Sequence, residues 1–318
     1  MWNGVRLRFG GSAGGQVQAV DAARPGEQLD RWGESMRVLS WNIQWGRGAD
    51  GRVDLDRIVR AIRDAGEVDV ICLQEVACNF AGLAGGALED EPAFFAEAFC
   101  GYTPVFGAAL DVPDGHGGRS LFGNLLLSRL PVGQVFRHML PAPADAGVPS
   151  MQRVCVEAVV TAASGPVRIL TTHLEYYSQR QRATQVEALR ALQAEVTGQA
   201  ALPARSKGSS PGFASRPRPA SAVVCGDFNC EPGSDEHRLM QAPIAAQVPA
   251  WCDAWSARHP RRAHPPTVGV HGADWPGRAY CCDFFFVSAD LVPRVKAVEV
   301  MAATAASDHQ PVVLELID

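Results

Sequence analysis

Ser307-Asp308-His309-Gln310-Pro311-Val312 sets a carboxylate and an imidazole side by side, just ahead of the apolar run Val312-Val313-Leu314-Glu315-Leu316-Ile317. A short, valine-rich run of this kind reads as a buried strand, and Pro311 keeps the preceding loop from continuing as a helix. Asp308 suits a hard cation or the orientation of a base, and His309 carries a proton near neutral pH. An acid beside a histidine is also an ordinary solvated turn. The pair gains meaning only because polar residues recur at the ends of other apolar runs, the place where a rigid scaffold usually carries chemistry.

Working outward, Met36-Arg37-Val38-Leu39-Ser40-Trp41-Asn42-Ile43 begins abruptly as a strand, and Val68-Asp69-Val70-Ile71-Cys72-Leu73 is a second, ending in Gln74-Glu75. Between them Leu55, Ile58, Val59 and Ile62 recur at helical spacing, so the pattern is strand, helix, strand, an α/β signature. Residues 77–90 read as a loop, 91–100 as a short helix and 121–129 as a strand entered from the glycine-rich Asp114-Gly115-His116-Gly117-Gly118-Arg119. Arg153 to Thr161 and Val167 to Leu170 read as two strands joined by a turn, the second running into Thr171-Thr172-His173-Leu174-Glu175. A helix follows over about 179–199, with Val186, Leu189, Leu192 and Val196 on one face. Ala222-Val223-Val224-Cys225 is a buried strand that delivers Gly226-Asp227-Phe228-Asn229, and Asp283 opens the aromatic strand Phe284-Phe285-Phe286-Val287. The region from Trp251 to Thr267 reads as irregular, and the last two strands lie near 294–300 and 311–317.

The chain has 318 residues, 47% of them hydrophobic, which is ample for a large core. Its formal charge of −5 gives no global basic footprint, so a nucleic-acid partner would be gripped by a local patch or through a metal. Nine cysteines, with no C-x-x-C among them, read as reduced thiols of a cytoplasmic protein, and neither they nor the eight histidines fall at zinc-ligand spacings. No run of eighteen apolar residues marks a transmembrane segment. Residues 1–35 are rich in Gly, Ala, Gln and Arg, have no sustained period or secretory apolar stretch, and read as a disordered leader. Pro203 to Pro219, crowded with Pro, Ser, Gly and Arg, reads as a flexible insertion, its Arg205, Lys207, Arg216 and Arg218 forming a solvated loop.

Collected, the strand ends supply Asn42, Glu75, His173, Asp227, Asn229, Asp283, Asp308 and His309. Carboxylates and amides suit Mg²⁺ or Mn²⁺, which prefer oxygen donors and keep waters for a substrate phosphate. Phosphate-ester hydrolysis needs that kind of site: charge neutralisation, an aligned water and help for the leaving oxygen.

Trp41-Asn42-Ile43, Gln74-Glu75, Thr172-His173-Leu174, Gly226-Asp227-Phe228-Asn229, Asp283 before an aromatic strand and Ser307-Asp308-His309-Gln310-Pro311-Val312 occur in one order. From about Met36 to Asp318 the chain resembles the endonuclease/exonuclease/phosphatase superfamily, which includes apurinic endonucleases, pancreatic-type deoxyribonucleases, sphingomyelinases, inositol-polyphosphate 5-phosphatases and deadenylases. The resemblance implies one α/β domain built as a four-layer sandwich: two mixed β-sheets face to face with helices outside. It implies Glu75 as the main Mg²⁺ ligand, assisted by Asn42 and Asp308. It implies Asp227 as the group that positions or deprotonates the attacking water, and Asn229 as the one that orients that water or the phosphate. His309 is implied at the scissile phosphate, held by Asp283, and His173 at the phosphate or leaving group, where apurinic endonucleases have tyrosine. Phe284-Phe285-Phe286 departs from the tyrosine and isoleucine common in that strand, a change of packing. Arg119 is a candidate phosphate contact, with an ordinary surface arginine as the alternative, and Tyr176 and Tyr177 follow His173 closely.

The leading expectation is a monomeric, Mg²⁺-dependent phosphodiesterase or phosphomonoesterase, with Mn²⁺ as substitute. Its rival is a catalytically silent binding protein on the same fold, which has no physical reason to keep several carboxylates converging on one cleft. Among enzymes, a nuclease acting on nucleic acid competes with a phospholipid or phosphoinositide hydrolase, and the fold alone does not choose between them.

Overall fold

The computed structural model describes residues 35–207, 210–272 and 276–318, which belong to one compact unit, Gly33–Asp318. The leader expected over 1–35 therefore lies outside the described residues, apart from Ser35, which is already the first residue of strand β1 (Ser35–Asn42) and pairs with Ile317. Strands β2 (Val70–Cys78), β3 (Thr103–Pro113) and β4 (Arg119–Ser128) join β1 and the C-terminal strands β11 (Val295–Val300) and β12 (Val312–Ile317) in one sheet, ordered β11-β12-β1-β2-β4-β3. The second sheet is ordered β5-β6-β7-β8-β10-β9, from β5 (Val132–Met139), β6 (Val154–Ala162), β7 (Gly165–His173), β8 (Ala222–Asp227), β9 (Trp251–Asp253) and β10 (Asp283–Ser288). Each sheet holds one parallel pair at its centre, β1 with β2 and β7 with β8, and antiparallel neighbours outside it, so both sheets are mixed.

The helices cover the outer faces because their sequences are apolar on one side. Helix α1 (Leu55–Asp64) starts at Asp54, whose side chain accepts from Arg57 N, and buries Leu55, Ile58, Val59 and Ile62 in a cluster with Trp41, Ile71, Leu73 and Phe95 of helix α2 (Glu91–Ala98). Helix α3 (Gln179–Ala201) is capped by Ser178 and packs Val186 and Leu189 against Leu170, Val224 and Phe286; α4 (Asp235–Gln241) adds Met240 to the same cluster. Leu192, expected on the buried face of α3, is only half-buried, because the glutamines Gln185 and Gln193 take inward positions and bond to the chain beneath. The region after Trp251 is less irregular than its sequence reads: β9 leads straight into helix α5 (Ala254–Arg258), capped by Asp253.

The layers thus confirm the four-layer sandwich. Between the sheets run polar links as well as apolar ones: Gln74 Nε2 donates to Thr171 Oγ1 at 2.8 Å, and Asn124 Nδ2 to the Val154 carbonyl at 2.9 Å. β7 and β8 approach so closely at Gly226 (φ 138°) that a Cβ there would stand 1.8 Å from the Thr172 carbonyl oxygen.

The end of the 203–219 segment is more tightly held than a solvated loop. Arg218 grips the fully buried Glu157 with two bonds of 2.9 Å and lies 3.7 Å over the Phe136 ring, while the buried Arg168 donates to the Pro219 carbonyl at 2.7 Å. Burial pushes the Glu157 carboxyl up, but bonds from His138 and Arg218 and the charge of Arg168 more than reverse this and hold it down at about 2.

Two predictions follow from these contacts. Gly226→Ala forces β7 and β8 apart and should cost more than about 3 kcal/mol in denaturant unfolding, so an unchanged midpoint would contradict the close approach. Because Glu157 has a depressed folded-state pKa, its stabilisation is fully present above the ordinary value of 4.5 and is lost as pH falls towards about 2. Unfolding measured at pH 7 and pH 3 should show that loss in the native chain, on the order of a few kcal/mol, and a much shallower slope in Glu157→Gln.

Candidate active site

The two central parallel pairs point their C-terminal ends the same way, which is where open α/β sheets bind ligands. β1 ends at Asn42, in register with Gln74 of β2, and the next residue of β2 is Glu75. β7 ends at His173 and β8 at Asp227, directly paired, and Asp227 is paired in turn with Asp283, the first residue of β10. His173, Asp227 and Asp283 thus form one row across three strands. The loop before β12 carries Asp308 and His309, fixed by Trp41 Nε1 donating to the His309 carbonyl at 3.0 Å and Ser307 Oγ donating to the Asn42 carbonyl at 2.8 Å.

These ends meet. Asn42 Nδ2 donates to Glu75 Oε1 at 2.9 Å and to Asp227 Oδ2 at 3.1 Å, joining the two sheets through one amide. Asp227 Oδ2 stands 3.5 Å from His173 Nε2 and 3.7 Å from His309 Nε2, and its Oδ1 accepts from the Asn229 backbone N–H at 2.9 Å. Asn229 Nδ2 donates to the Leu174 carbonyl at 2.9 Å and faces His173 Nε2 at 3.0 Å. That nitrogen of His173 is therefore the acceptor, and the ring proton belongs on Nδ1, 3.9 Å from Glu75 Oε1. His309 Nδ1 bonds Asp283 Oδ2 at 2.9 Å, and the same oxygen accepts from Thr267 Oγ1 at 2.6 Å.

The charges are set by burial and neighbours. Burial and the nearby Asp308 raise Glu75 to about 7, and burial raises Asp227 to about 6 against the opposing charge of His309. Burial lowers His173 well below the usual imidazole range, with Arg153 and His309 adding repulsion. Burial also disfavours the cationic form of His309, yet Asp283 and Asp227 reverse that and hold it well above. One imidazole is kept neutral and the other protonated a few ångströms apart.

A cavity of about 390 Å³ opens over this cluster, lined by Glu75, Asp227, Asp308, both histidines and Asn229, with Trp45, Phe122, Tyr176 and Tyr177 among its other walls. Seven expected residues, Asn42, Glu75, His173, Asp227, Asn229, Asp308 and His309, gather at or directly beneath it, and Asp283 stands behind His309. Arg119 does not join them: it is exposed and paired with Asp111 at 2.6 Å on its own hairpin, which satisfies its charge away from the cavity. Three further residues do the positioning. Arg153 is buried, bonds Glu175 Oε2 at 3.3 Å, lines the cavity and leaves Nη1 without a hydrogen-bond partner. Gln44 Nε2 donates to Asp308 Oδ2 at 2.8 Å from a backbone at φ 46°. Thr267 holds Asp283. Arg153 had a legible signal, a charged residue opening an apolar strand, whereas Gln44 had none beyond its neighbourhood of Asn42 and Thr267 had none.

The backbone is strained where it delivers these groups. Glu75 has φ 57° at an irregularity of register between β2 and β4, Asn229 has φ 49° and Trp45 φ 42°. The buried carboxylate of Glu91 takes up the Ala77 N–H at 2.9 Å just beyond the irregularity. An oxygen-rich donor set of Glu75, Asp308 and the Asn42 amide, with two carboxylates repelling each other at the cavity floor, fits a hard divalent cation.

No curated protein matches the chain in sequence. Among solved structures, an endonuclease/exonuclease/phosphatase from Beutenbergia cavernae is similar at 24% identity and TM-score 0.57, covering 90% of this chain and 72% of its own. The mannosyl-6-phosphatase Bt3783 of Bacteroides thetaiotaomicron is similar at 18% identity and TM-score 0.60, over 89% and 100% of the two chains. D. rerio TDP2 complexed with a single-strand DNA product is similar at 15% identity and TM-score 0.54, over 89% and 99%. The model of the endonuclease/exonuclease/phosphatase family matches residues 39–309, from β1 to the histidine of the C-terminal loop, and the chain belongs to that family of phosphoester hydrolases.

Proposed function

We propose that this protein hydrolyses phosphodiesters with Mg²⁺, or Mn²⁺ in its place, by in-line attack of a water held on Asp227. The observation that carries this reading is the geometry at one buried carboxylate: Asp227 Oδ2 stands 3.5 Å from His173 Nε2 and 3.7 Å from His309 Nε2, in a cavity that Glu75 and Asp308 also line. Glu75, Asp308 and Asn42 are the residues to hold the cation, which when bound neutralises phosphate charge and polarises water. Asp227 accepts a proton from the attacking water, and Asn42 and the Asn229 N–H keep its oxygens in place. His309 donates to a non-bridging phosphate oxygen, where its charge offsets the charge that develops in the transition state, and Asp283 fixes its tautomer. His173, with Nδ1–H free to donate, serves the phosphate or the leaving oxygen, and the positive charge of Arg153 in the cavity wall favours an anionic substrate.

A diester is favoured over a monoester because open space continues beyond the centre on its Tyr176 and Asn229 side. A second cavity of about 710 Å³, walled by Arg182, Arg278 and Tyr280, shares Tyr176 and Asn229 with the first. Similar folds include a sugar phosphatase and a protein bound to single-stranded DNA, so small phosphate esters and nucleic-acid ends are the substrates to try first. All nine cysteines are free, which supports a reducing, cytoplasmic setting. Among the described residues no helix is long and apolar enough to cross a membrane.

Hydrolysis of a chromogenic phosphodiester should require added Mg²⁺ and stop in excess chelator. Glu75→Ala should weaken metal binding, measured calorimetrically, with little change in melting temperature, and full activity in chelator would remove the metal from the mechanism. His309→Ala should slow turnover by about 10²–10³-fold and Asp283→Asn by less, since the imidazole remains. The double variant should be hardly slower than His309→Ala alone, because Asp283 acts through the histidine; strictly multiplicative losses would show Asp283 working elsewhere.

A further inference from the structure

Two buried clusters hold metal-ligating side chains outside the cation floor, and they differ in that only the second has a thiol and an unpartnered carboxylate oxygen. In the first, His237 and His264 both face Asp253 Oδ2, at 3.2 and 2.6 Å. There Gly233 N–H donates to His237 Nδ1 at 3.2 Å, so that ring keeps its proton on Nε2 and gives it to Asp253. With Ser256 Oγ and Trp255 N–H also donating to the same carboxylate, Asp253 is satisfied by hydrogen bonds, and no lone pair of His237 is left for an ion.

The second cluster lies behind His309. Cys282 Sγ is 3.5 Å from Asp283 Oδ2 and 4.0 Å from His309 Nδ1, and one ligating atom each of Asp227, Cys282 and His309 lie within 4.8 Å of one another. All four residues are buried, and Asp283 Oδ1 has no hydrogen-bond partner, a cost that buried oxygens rarely bear. Zinc bonds of about 2.0–2.3 Å place neighbouring tetrahedral donors between about 3 and 4 Å apart; the distances from Cys282 Sγ to Asp283 and His309 fall at that spacing, and Asp227 lies within the wider 4.8 Å. Sulfur is the one donor in this neighbourhood that a hard cation does not want, and thiolate with imidazole selects zinc-class ions over magnesium. Nothing in the hydrolytic chemistry uses the Cys282 thiol.

We infer that Cys282, with His309, Asp227 and Asp283, forms a site for a thiophilic divalent cation of the zinc class, and that occupancy switches the enzyme off. The ion takes the sulfur and nitrogen lone pairs as bonds to itself, and the thiol and imidazole protons it replaces pass to water. His309 and Asp227, once held by the ion, no longer meet phosphate and water. The inhibitory consequence rests on the hydrolytic reading of the site, but the binding does not.

Cadmium is the probe, because its bond to a thiolate gives a charge-transfer band in the ultraviolet. The full chain is titrated with Cd²⁺ in excess Mg²⁺, and Zn²⁺ affinity is measured by competition with a chromophoric chelator. One equivalent should bind with the band in the native chain. Cys282→Ser and Cys282→Ala, both checked by thermal melting, should lose that equivalent, and His309→Ala should weaken it by more than about tenfold, since lost outer-shell partners alone cost about 10–100-fold. Cys100→Ser and Cys252→Ser, at the two thiols that are not fully buried, should keep it. An unchanged band in both folded Cys282 variants overturns the site. Zinc inhibition of hydrolysis should be relieved in Cys282→Ala, and equal inhibition in that variant and the native chain overturns the switch. An intact band in a chain that hydrolyses nothing supports the ion site and counts against the hydrolytic reading alone.

Discussion

A carboxylate kept from water at the seam between two sheets, Asp227, is the interaction on which the site depends. Burying such a charge is expensive unless it is compensated, and here the compensation comes from several converging elements: the Asn42 amide from one sheet, the Asn229 N–H from its own turn, and the His309 imidazole from the C-terminal loop, with His173 of β7 packed alongside. The same contacts that lower the cost of the charge bring the functional groups together. The two histidines part in protonation because their other neighbours differ: Asp283 stands against one ring, and Arg153 repels charge on the other.

Buried carboxylates elsewhere in the molecule show what a purely structural environment looks like. Glu157 is surrounded by Arg218, Arg168 and His138, and Asp253 by His237, His264, Ser256 and a backbone N–H; both are held below the usual carboxylate range despite burial. Asp227 is buried as deeply and Glu75 is partly open to the cavity, but their close neighbours include other carboxylates, and both are raised. The sign of the shift separates these two pairs but not every buried carboxylate, since burial also raises Glu91 to about 8 where it braces the Ala77 N–H; what marks the second kind is carboxylates facing one another. A bound cation is the physical remedy for the second kind.

Backbone strain falls in the same place. Gln44, Trp45, Glu75 and Asn229, four of the six non-glycine residues with positive φ among the described residues, lie there, the other two being Asn79 and Leu88; the condition costs on the order of 1–3 kcal/mol each and persists only where the surroundings enforce it. The enforcing surroundings are the strands just behind: β1 and β2 pinned under α1 and α2, and β7 and β8 pressed together at Gly226. Rigid sheets hold turns that would relax if they were free.

Apolar periodicity determined the strand–helix–strand units and the strand ends that carry Asn42, Glu75, His173, Asp227 and Asp308, because burial imposes a period that survives in a linear string, whereas the two face-to-face sheets were implied only by the resemblance of the motifs to a family. It missed β3 and β5, whose half-exposed residues carry little apolar pattern, and α4, a short polar helix that buries mainly Met240. It read Arg218 as solvated because its partner Glu157 lies 61 residues away. Tertiary structure alone decided which charges meet: that Arg119 is spent on Asp111, that Arg153 lines the cavity while bonded to Glu175, that Gln44 and Thr267 hold Asp308 and Asp283, and that Cys282 lies against His309. Residue type and local period are properties of neighbours along the chain, whereas protonation, pairing and strain depend on distances of a few ångströms between segments that only the packed sheets bring together.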